Sequence, residues 1–249
     1  NVGDKEIFSL ASELKHDRPN LPFVLLTHFS KEIYRRLSLL DTSAIDYMFS
    51  WHGNADLIVA IIKLFEDLKN ADNDILEVGV QAILLVEDSV RYYSTYLPEL
   101  YKMIIKQGGE FLKETINEQK RKFRKRSRPK ILLATNYDDA MAMYAKYKSN
   151  LLGVISDVGF TVHKGDRPED EKLDAGIDLV RHIRSDNPTM PILLQSSQSS
   201  ISATADELGV GFLRKYSKTL MIQLAEYIRD EFGFGDFVFR DAARKEYGQ

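Results

Sequence analysis

Four short apolar runs in this sequence are each followed at once by polar or charged side chains. In chain order, these side chains are Glu87 with Asp88, Asp157, Ser196, and Lys215. The C-terminal ends of parallel strands lie along one edge of an open α/β sheet, where such folds place their sites. We therefore expect three carboxylates, a hydroxyl and an ammonium to meet at one edge. That set suits a divalent cation together with a phosphoryl group.

Strand and helix patterns alternate through the second part of the chain. The apolar runs predict strands at 82–87, 130–135, 151–157, 191–196 and 210–214. Helical patterns begin near residue 89 and recur at 137–148, 174–185, 200–208 and 218–232. This alternation implies a parallel sheet with helices on both faces. The predicted fold class is α/β, a doubly wound five-stranded parallel sheet.

The first part of the chain repeats the second half of that pattern. Residues 4–68 predict the order α, β, α, β, α, as residues 174–232 do, and the strand ending at Thr27 aligns with the strand ending at Ser196. We therefore predict a half-domain over 1–70, with 71–80 as a linker or the end of a helix. Half of such a sheet would leave a central strand exposed. Either the missing half lies upstream, or the half-domain packs against a partner.

Composition narrows the class of protein. The chain has 249 residues, 44% of them apolar and 29% charged, which is typical of a globular protein with one large domain or two. A net charge of −3 gives no indication of nucleic-acid binding. The absence of cysteine excludes disulfides and thiol chemistry and favours a cytoplasmic location. The chain starts without Met or a signal-peptide pattern, and we expect a fragment of a longer protein.

The four segments that carry the polar residues form a recognisable series. They are residues 83–89, 155–157, the strand ending at Ser196, and 212–215. In this order, and on these elements, they resemble the receiver domain of two-component response regulators. The resemblance covers residues 81–232, and residues 4–68 resemble the latter half of a second receiver. It implies the flavodoxin-like form of the doubly wound sheet.

The resemblance also implies a magnesium-dependent phosphorylation site. Asp157 would accept a phosphoryl group from phosphohistidine or a small phosphodonor. Mg²⁺ would be held by Asp88, Asp157 and the backbone carbonyl of Gly159, with Glu87 acting through water.

The remaining family residues would respond to the phosphoryl group. Lys215 would pair with one phosphoryl oxygen and the Ser196 hydroxyl would donate to another. The movement of that hydroxyl would let Phe212 turn inward, which changes a protein-interaction surface.

Several residues depart from the family pattern. Tyr216 follows the lysine where the family usually has proline, and Gln195 makes the end of its strand unusually polar. The charged loop 163–174 either covers the site or is solvated, and we favour the solvated interpretation. In the half-domain Ser50 stands where lysine would be, which indicates a degenerate receiver used for interaction or dimerisation.

Two further segments exceed the normal length of a receiver. The first helix extends as an arm over 89–128 and ends in the basic run 120–130, which we interpret as solvated or as a docking arm for a partner. The glycine-spaced aromatic tail, 233–249, weakly resembles the junction into phosphoenolpyruvate synthase-like modules.

The leading hypothesis is a bacterial, cytoplasmic signalling module that is not itself an enzyme. The phosphoryl donor would be a sensor histidine kinase or a phosphotransfer protein. The response would act on an output domain or another protein, and a homodimer is possible. Nucleic acid and membranes are not expected. Two alternatives stay open: a phosphorylation-independent interaction module, and the regulatory front end of a phosphoenolpyruvate synthase-like enzyme.

Overall fold

A computed structural model describes residues 4–28, 43–113, 128–234, 239–240 and 246–248. The strands are β1 Val24–Thr27, β2 Tyr47–Ser50, β3 Ala82–Val86, β4 Lys130–Ala134, β5 Leu151–Asp157, β6 Ile192–Ser196, β7 Gly211–Arg214, β8 Phe239–Arg240 and β9 Glu246–Gly248. The α-helices are α1 Asp4–Asp17, α2 Asp56–Ala71, α3 Val90–Lys113, α4 Tyr137–Tyr147, α5 Ala175–Asp186, α6 Ile201–Glu207 and α7 Leu220–Asp230. The middle helix of the α, β, α, β, α order predicted for residues 4–68, expected at 30–41, lies outside the described residues.

The five-stranded sheet has the order β4-β3-β5-β6-β7 and is parallel throughout. This confirms the predicted fold class, with strand ends within a residue or two of those expected. The chain passes from β3 to one side for β4 and then crosses to the other side for β5. The C-terminal ends of β3 and β5 therefore flank the point where the winding direction reverses, which is where open α/β sheets bind their ligands.

The sheet is covered by helices on both faces. Strands β3, β4 and β6 are buried at every position, as continuous apolar runs in a parallel sheet usually are. One face packs against α4 and α5 through Tyr144, Leu179 and Ile183. On the other face, Gly153 and Gly211 leave the space that the rings of Phe232 and Tyr227 fill. Phe232 is therefore part of the core of this domain.

The chain forms two compact units, residues 1–65 with 89–98 and residues 66–88 with 99–249. In the first unit, β1 and β2 pair in parallel from Val24↔Tyr47 to Thr27↔Ser50. The Asp46 carboxylate accepts a hydrogen bond from the backbone N–H of Phe23 at 2.6 Å, which joins the two strand starts. The buried Phe49 ring meets the edge of Tyr93, with 5.3 Å between ring centroids.

In the second unit, Asp67 is a fully buried charge at the end of α2. Its carboxylate accepts hydrogen bonds from both terminal nitrogens of Arg128, at 2.6 and 2.9 Å, and from the Tyr101 hydroxyl at 2.9 Å. The backbone N–H of Ile131 donates to it at 3.0 Å, which fixes the start of β4. The prediction of a solvated basic run is thus wrong for Arg128 and for the buried Lys130, because Arg128 pairs with the buried Asp67 and Lys130 pairs with the partly buried Asp74 at 2.6 Å.

The segments around the sheet differ in part from the predicted arm and linker. Helix α3 continues through Gly108 and Gly109 to Lys113, and the rest of the predicted arm, 114–127, lies outside the described residues. The segment 71–80, predicted as a linker or the end of a helix, contains a π-helical turn, Asp72–Glu77, that directly continues α2 and buries Ile75. No helix in the described part of the chain has the length and apolar character needed to cross a membrane.

Asp67→Asn should destabilise the protein by about 3 kcal/mol, because the substitution removes the buried carboxylate that pairs with Arg128 and leaves only the more distant Glu66, at 3.9 Å. The free energy of unfolding in urea measures the change. Asp170→Asn is the matched control, since it removes a carboxylate from an exposed pair with Arg167 and should leave the free energy of unfolding nearly unchanged. Equal effects of the two substitutions would contradict a structural role for the Asp67 network.

Candidate functional site

Three carboxylates meet at the C-terminal ends of β3 and β5. Glu87 and Asp88 directly follow β3, and Asp157 is the last residue of β5, its neighbour in the sheet. One carboxylate oxygen from each of the three lies within 4.8 Å of the others. The side chain of Glu87 is buried, and those of Asp88 and Asp157 are partly buried. The structure thus brings together the three acids that the sequence placed at one sheet edge.

Lys215 connects two of these carboxylates. Its Nζ donates to Glu87 Oε2 at 2.6 Å and to Asp157 Oδ2 at 2.5 Å, and the side chain is 4% exposed. The backbone N–H of Lys215 donates to the carbonyl of Ser196 at 2.9 Å, which fixes the residue just beyond β7. One ammonium balances only one of three carboxylates, so the remaining negative charge favours a further cation.

The pKa values reflect this imbalance. Burial, with repulsion from Asp157, raises the pKa of Glu87 well above its usual range. Burial also raises the pKa of Asp88 to about 7, while the Thr161 N–H bound to its carboxylate opposes the rise. Burial alone would lower the pKa of Lys215, but the charges of Glu87 and Asp157 outweigh it and the net shift is upward. A bound cation would favour the ionised carboxylates.

The donors present fit a hard divalent cation. The cluster offers carboxylate oxygens and contains no histidine or cysteine within the described residues, which suits Mg²⁺ better than a transition metal. Asp88, Asp157 and the carbonyl of Gly159 are the groups that would hold it, with Glu87 near enough to act through water. Mg²⁺ is therefore compatible with this site.

The predicted response residues lie on the two adjoining strands. Ser196 ends β6, and its Oγ accepts a hydrogen bond from the N–H of Gln198 at 3.1 Å. Phe212 is partly buried on β7, pairs in register with Leu194, and packs against the apolar cluster under the sheet. Ser196 pairs in register with Arg214, one residue before Lys215. The hydroxyl and the ammonium are thus on neighbouring strand ends.

Gln195 is a site neighbour whose place the sequence did not reveal. It pairs in register with Asp157 across β5 and β6 and is 1% exposed. Residues in register in a parallel pair lie on the same face of the sheet. Its Nε2 makes no hydrogen bond within the described residues, so a buried donor lies next to Asp157 in the sheet. The only signal in the sequence was a polar residue in an otherwise apolar run.

Gly176 is a second residue that the sequence patterns did not reveal. Its N–H donates to the carbonyl of Val158 at 2.8 Å, and a Cβ at this position would collide with the backbone of Asp157 and Val158. The start of α5 therefore lies directly against the residue that carries the central carboxylate. Only glycine allows this approach, which fixes the backbone at Asp157.

Tyr216, which follows Lys215, has a left-handed backbone with φ of 68°. This conformation is uncommon for a bulky residue and costs roughly 1 kcal/mol. Its side chain is 68% exposed. An exposed aromatic side chain thus lies directly after Lys215, where the resemblance leads us to expect proline.

Neither the family models nor the curated proteins include a match to this chain. A crystal structure of a response regulator receiver domain protein from Clostridium thermocellum is similar to it, with 18% sequence identity and a TM-score of 0.41. The likeness covers 62% of this chain and 95% of the other. The class of fold is established independently by the sheet order, which is the flavodoxin-like order of a doubly wound protein.

Without a divalent cation, the protein should lose stability as the pH rises from about 5 to about 8. The folded-state pKa values of Glu87 and Asp88 lie above those of an unfolded chain, so the folded state binds more protons and its advantage disappears as these groups ionise. Thermal melts across this range check the sign. Added Mg²⁺ should raise the melting temperature more at pH 8 than at pH 6, because the metal must displace fewer protons.

Asp88→Asn is the comparison protein for these melts. The substitution removes one of the two ionisations, so the melting temperature should fall less steeply with pH. A parent profile that is flat, or that rises with pH, would contradict the raised pKa values of these two acids.

Proposed function

We propose that this chain is a phosphoacceptor signalling module in which Asp157 receives a phosphoryl group. The observation that carries the proposal is the sharing of the Lys215 ammonium between Glu87 and Asp157, beside Asp88 and at the switch point of the sheet. A structural ion pair needs one carboxylate for one ammonium. Here the excess of carboxylates provides for a cation, and Asp157 is the more accessible partner of Lys215.

The chemistry would be a direct displacement at phosphorus. A carboxylate oxygen of Asp157 attacks the phosphorus of a phosphohistidine or an acyl phosphate. The bond between phosphorus and the donor's nitrogen or oxygen breaks, and its electron pair stays on the donor atom. The nucleophile needs no base but must be ionised, and Lys215 lies beside it as an ion-pair partner. Mg²⁺, when bound, neutralises charge on the transferring group.

The response would begin with Lys215 and Ser196. The ammonium would exchange one carboxylate oxygen of Asp157 for a phosphoryl oxygen, and the Ser196 hydroxyl would donate to another. Ser196 would then give up its present contact with the N–H of Gln198. Because Phe212 is only partly buried beside it, space vacated by Ser196 would let the ring move inward and change the surface around β6 and β7.

The proposed partners are those that this chemistry requires. The donor would be a sensor histidine kinase or a phosphotransfer protein, and the response would act on an output domain or another protein. The first unit would serve as a degenerate receiver for interaction, because Ser50 stands in the lysine position and bonds His52 at 3.0 Å. The link to phosphoenolpyruvate synthase-like enzymes stays a prediction, which the reading frame beyond Gln249 would test.

A phosphorylation-independent interaction module is the second candidate. The exposed aromatic ring of Tyr216, next to Lys215 and in a strained backbone conformation, is the observation that favours it. In that case the charge cluster would be a structural remnant, and Tyr216 would belong to a constant protein-binding surface.

Incubation with acetyl phosphate and Mg²⁺, followed by intact-mass spectrometry, separates the two candidates. We expect the parent protein to gain the mass of one phosphoryl group only when Mg²⁺ is present, and Asp157→Asn to gain none. Asp206→Asn, which changes an exposed carboxylate on α6, should behave as the parent does. If no condition yields an adduct, phosphorylation is contradicted and the interaction module becomes the better account.

Lys215→Ala should slow phosphorylation by about 10²-fold at saturating Mg²⁺, because a preorganised positive charge at the transferring group is lost. The time course of adduct formation measures the rate. Lys215→Arg keeps the positive charge on a group of different shape. Its phosphorylation rate should lie between those of the parent and Lys215→Ala. An unchanged rate in Lys215→Ala would show that the ammonium serves only the resting structure.

A further inference from the structure

The loop between β5 and α5 returns to the acidic site. It leaves after Asp157 and closes on itself through two backbone hydrogen bonds, Phe160 N–H to Lys172 O at 3.2 Å and Lys172 N–H to Phe160 O at 3.1 Å. Phe160 is completely buried and anchors the base of the loop in the core. Much of the loop beyond this base is exposed, and Glu171, also exposed, directly precedes the bridge residue Lys172.

The carboxylate of Glu171 lies directly over Gly159. A Cβ at residue 159 would collide with Glu171 Oε1 and come close to its Cδ. Glu171 therefore occupies the space that a side chain two residues beyond Asp157 would need. Gly159 is also the residue whose carbonyl is expected to face the cation, so a fourth carboxylate lies at the side of the site where the loop closes.

The acids of this loop are not alike. Arg167 pairs with Glu169 and Asp170 at 3.3 and 3.1 Å, away from the site. For Glu171, no hydrogen bond or ion pair is found among the described residues. The charges that act on it are those of the site itself, since burial and repulsion from Asp157 raise its pKa while Lys215 opposes the rise. Glu171 in turn adds to the repulsion on Asp88.

We propose that Glu171 is a fourth carboxylate of the cation site and binds a water molecule of Mg²⁺. This inference rests on the proposed function and deepens it. Glu171 is not one of the three residues whose oxygens all lie within 4.8 Å of one another, so a water-mediated contact fits better than a direct one. Mg²⁺ keeps several of its waters in protein sites, and those waters need acceptors.

The consequence is a mechanical link between the metal and the loop. A cation held at Asp88 and Asp157 would bind Glu171 through one of its water molecules. That contact would also restrain the neighbouring Lys172, which forms the closing bridge of the loop. The loop 159–174 then becomes more ordered when Mg²⁺ binds. An exposed site for trypsin, after Lys164, lies in the outer part of this loop and reports on its order.

The test compares Mg²⁺ binding by isothermal titration calorimetry at pH 8 in four proteins: the parent, Glu171→Gln, Glu171→Asp and Glu169→Gln. Glu171→Gln should weaken Mg²⁺ binding about tenfold, as the loss of a partner to a metal-bound group commonly does. Glu169→Gln makes the same charge change in the same loop, on a residue paired with Arg167, and should change binding less than about twofold.

Glu171→Asp separates contact from charge. It keeps the negative charge but shortens the side chain, so it should weaken binding nearly as much as Glu171→Gln does. The rate of trypsin cleavage after Lys164 should fall on addition of Mg²⁺ in the parent and change little in both Glu171 variants.

The outcomes distinguish the metal site itself from the role of Glu171 in it. No Mg²⁺ binding by the parent would overturn both the proposed metal site and this inference. Normal binding by the parent with no effect of Glu171→Gln, or an equal effect of Glu169→Gln, would overturn the inference alone. Parent-like binding by Glu171→Asp would also overturn it, because the effect would then arise from charge at a distance.

Discussion

The site depends on the buried ammonium of Lys215, which forms ion pairs with two carboxylates. Lys215 is held by its own backbone N–H on the Ser196 carbonyl, and its Nζ reaches Glu87 from one side and Asp157 from the other. This geometry requires the C-terminal ends of β3, β5 and β7 to lie at the same height along the edge of the sheet. The register of the five strands and the close approach of Gly176 to the backbone of Asp157 are what keep them so.

Burying several carboxylates around a single ammonium has a cost that folding alone does not recover. The raised pKa values of Glu87 and Asp88 are one expression of that cost, and the contact between Glu171 and Gly159 adds a further acid to it. A protein gains nothing in stability from such an arrangement. Under the proposed function, a bound cation and a phosphoryl group would offset that cost.

We propose that the first unit is a degenerate receiver in which Ser50 stands where a receiver would have lysine. It keeps the pair of parallel strands β1 and β2, with Thr27 and Ser50 in register at their ends. A serine cannot balance buried carboxylates, and Ser50 instead bonds the nearby His52. In this proposal the first unit keeps the paired strands of a receiver without its phosphorylation chemistry.

The sequence predicted the five-stranded sheet well because β3 is a continuous apolar run and β4 and β6 each contain at least three consecutive apolar residues, and such runs are unambiguous when helical patterns separate them. The three clustered acids could be predicted because parallel strands end at a common edge. Glu171, Gly176 and the pairing of Asp67 with Arg128 were not predictable in this way. Their contacts join residues with no local pattern in common, as the 61-residue separation of Asp67 and Arg128 illustrates.

That last pair also sets the boundary of the second unit. The unit begins at residue 66, inside helix α2, rather than at the polar stretch where composition alone would divide the chain. The counterion of Arg128, which lies just before β4, is Asp67 in α2. A domain excised at residue 80 would therefore contain the buried Arg128 guanidinium without its carboxylate partner. If this domain is moved into another protein, by engineering or in evolution, the C-terminal part of α2 that contains Asp67 must therefore be included.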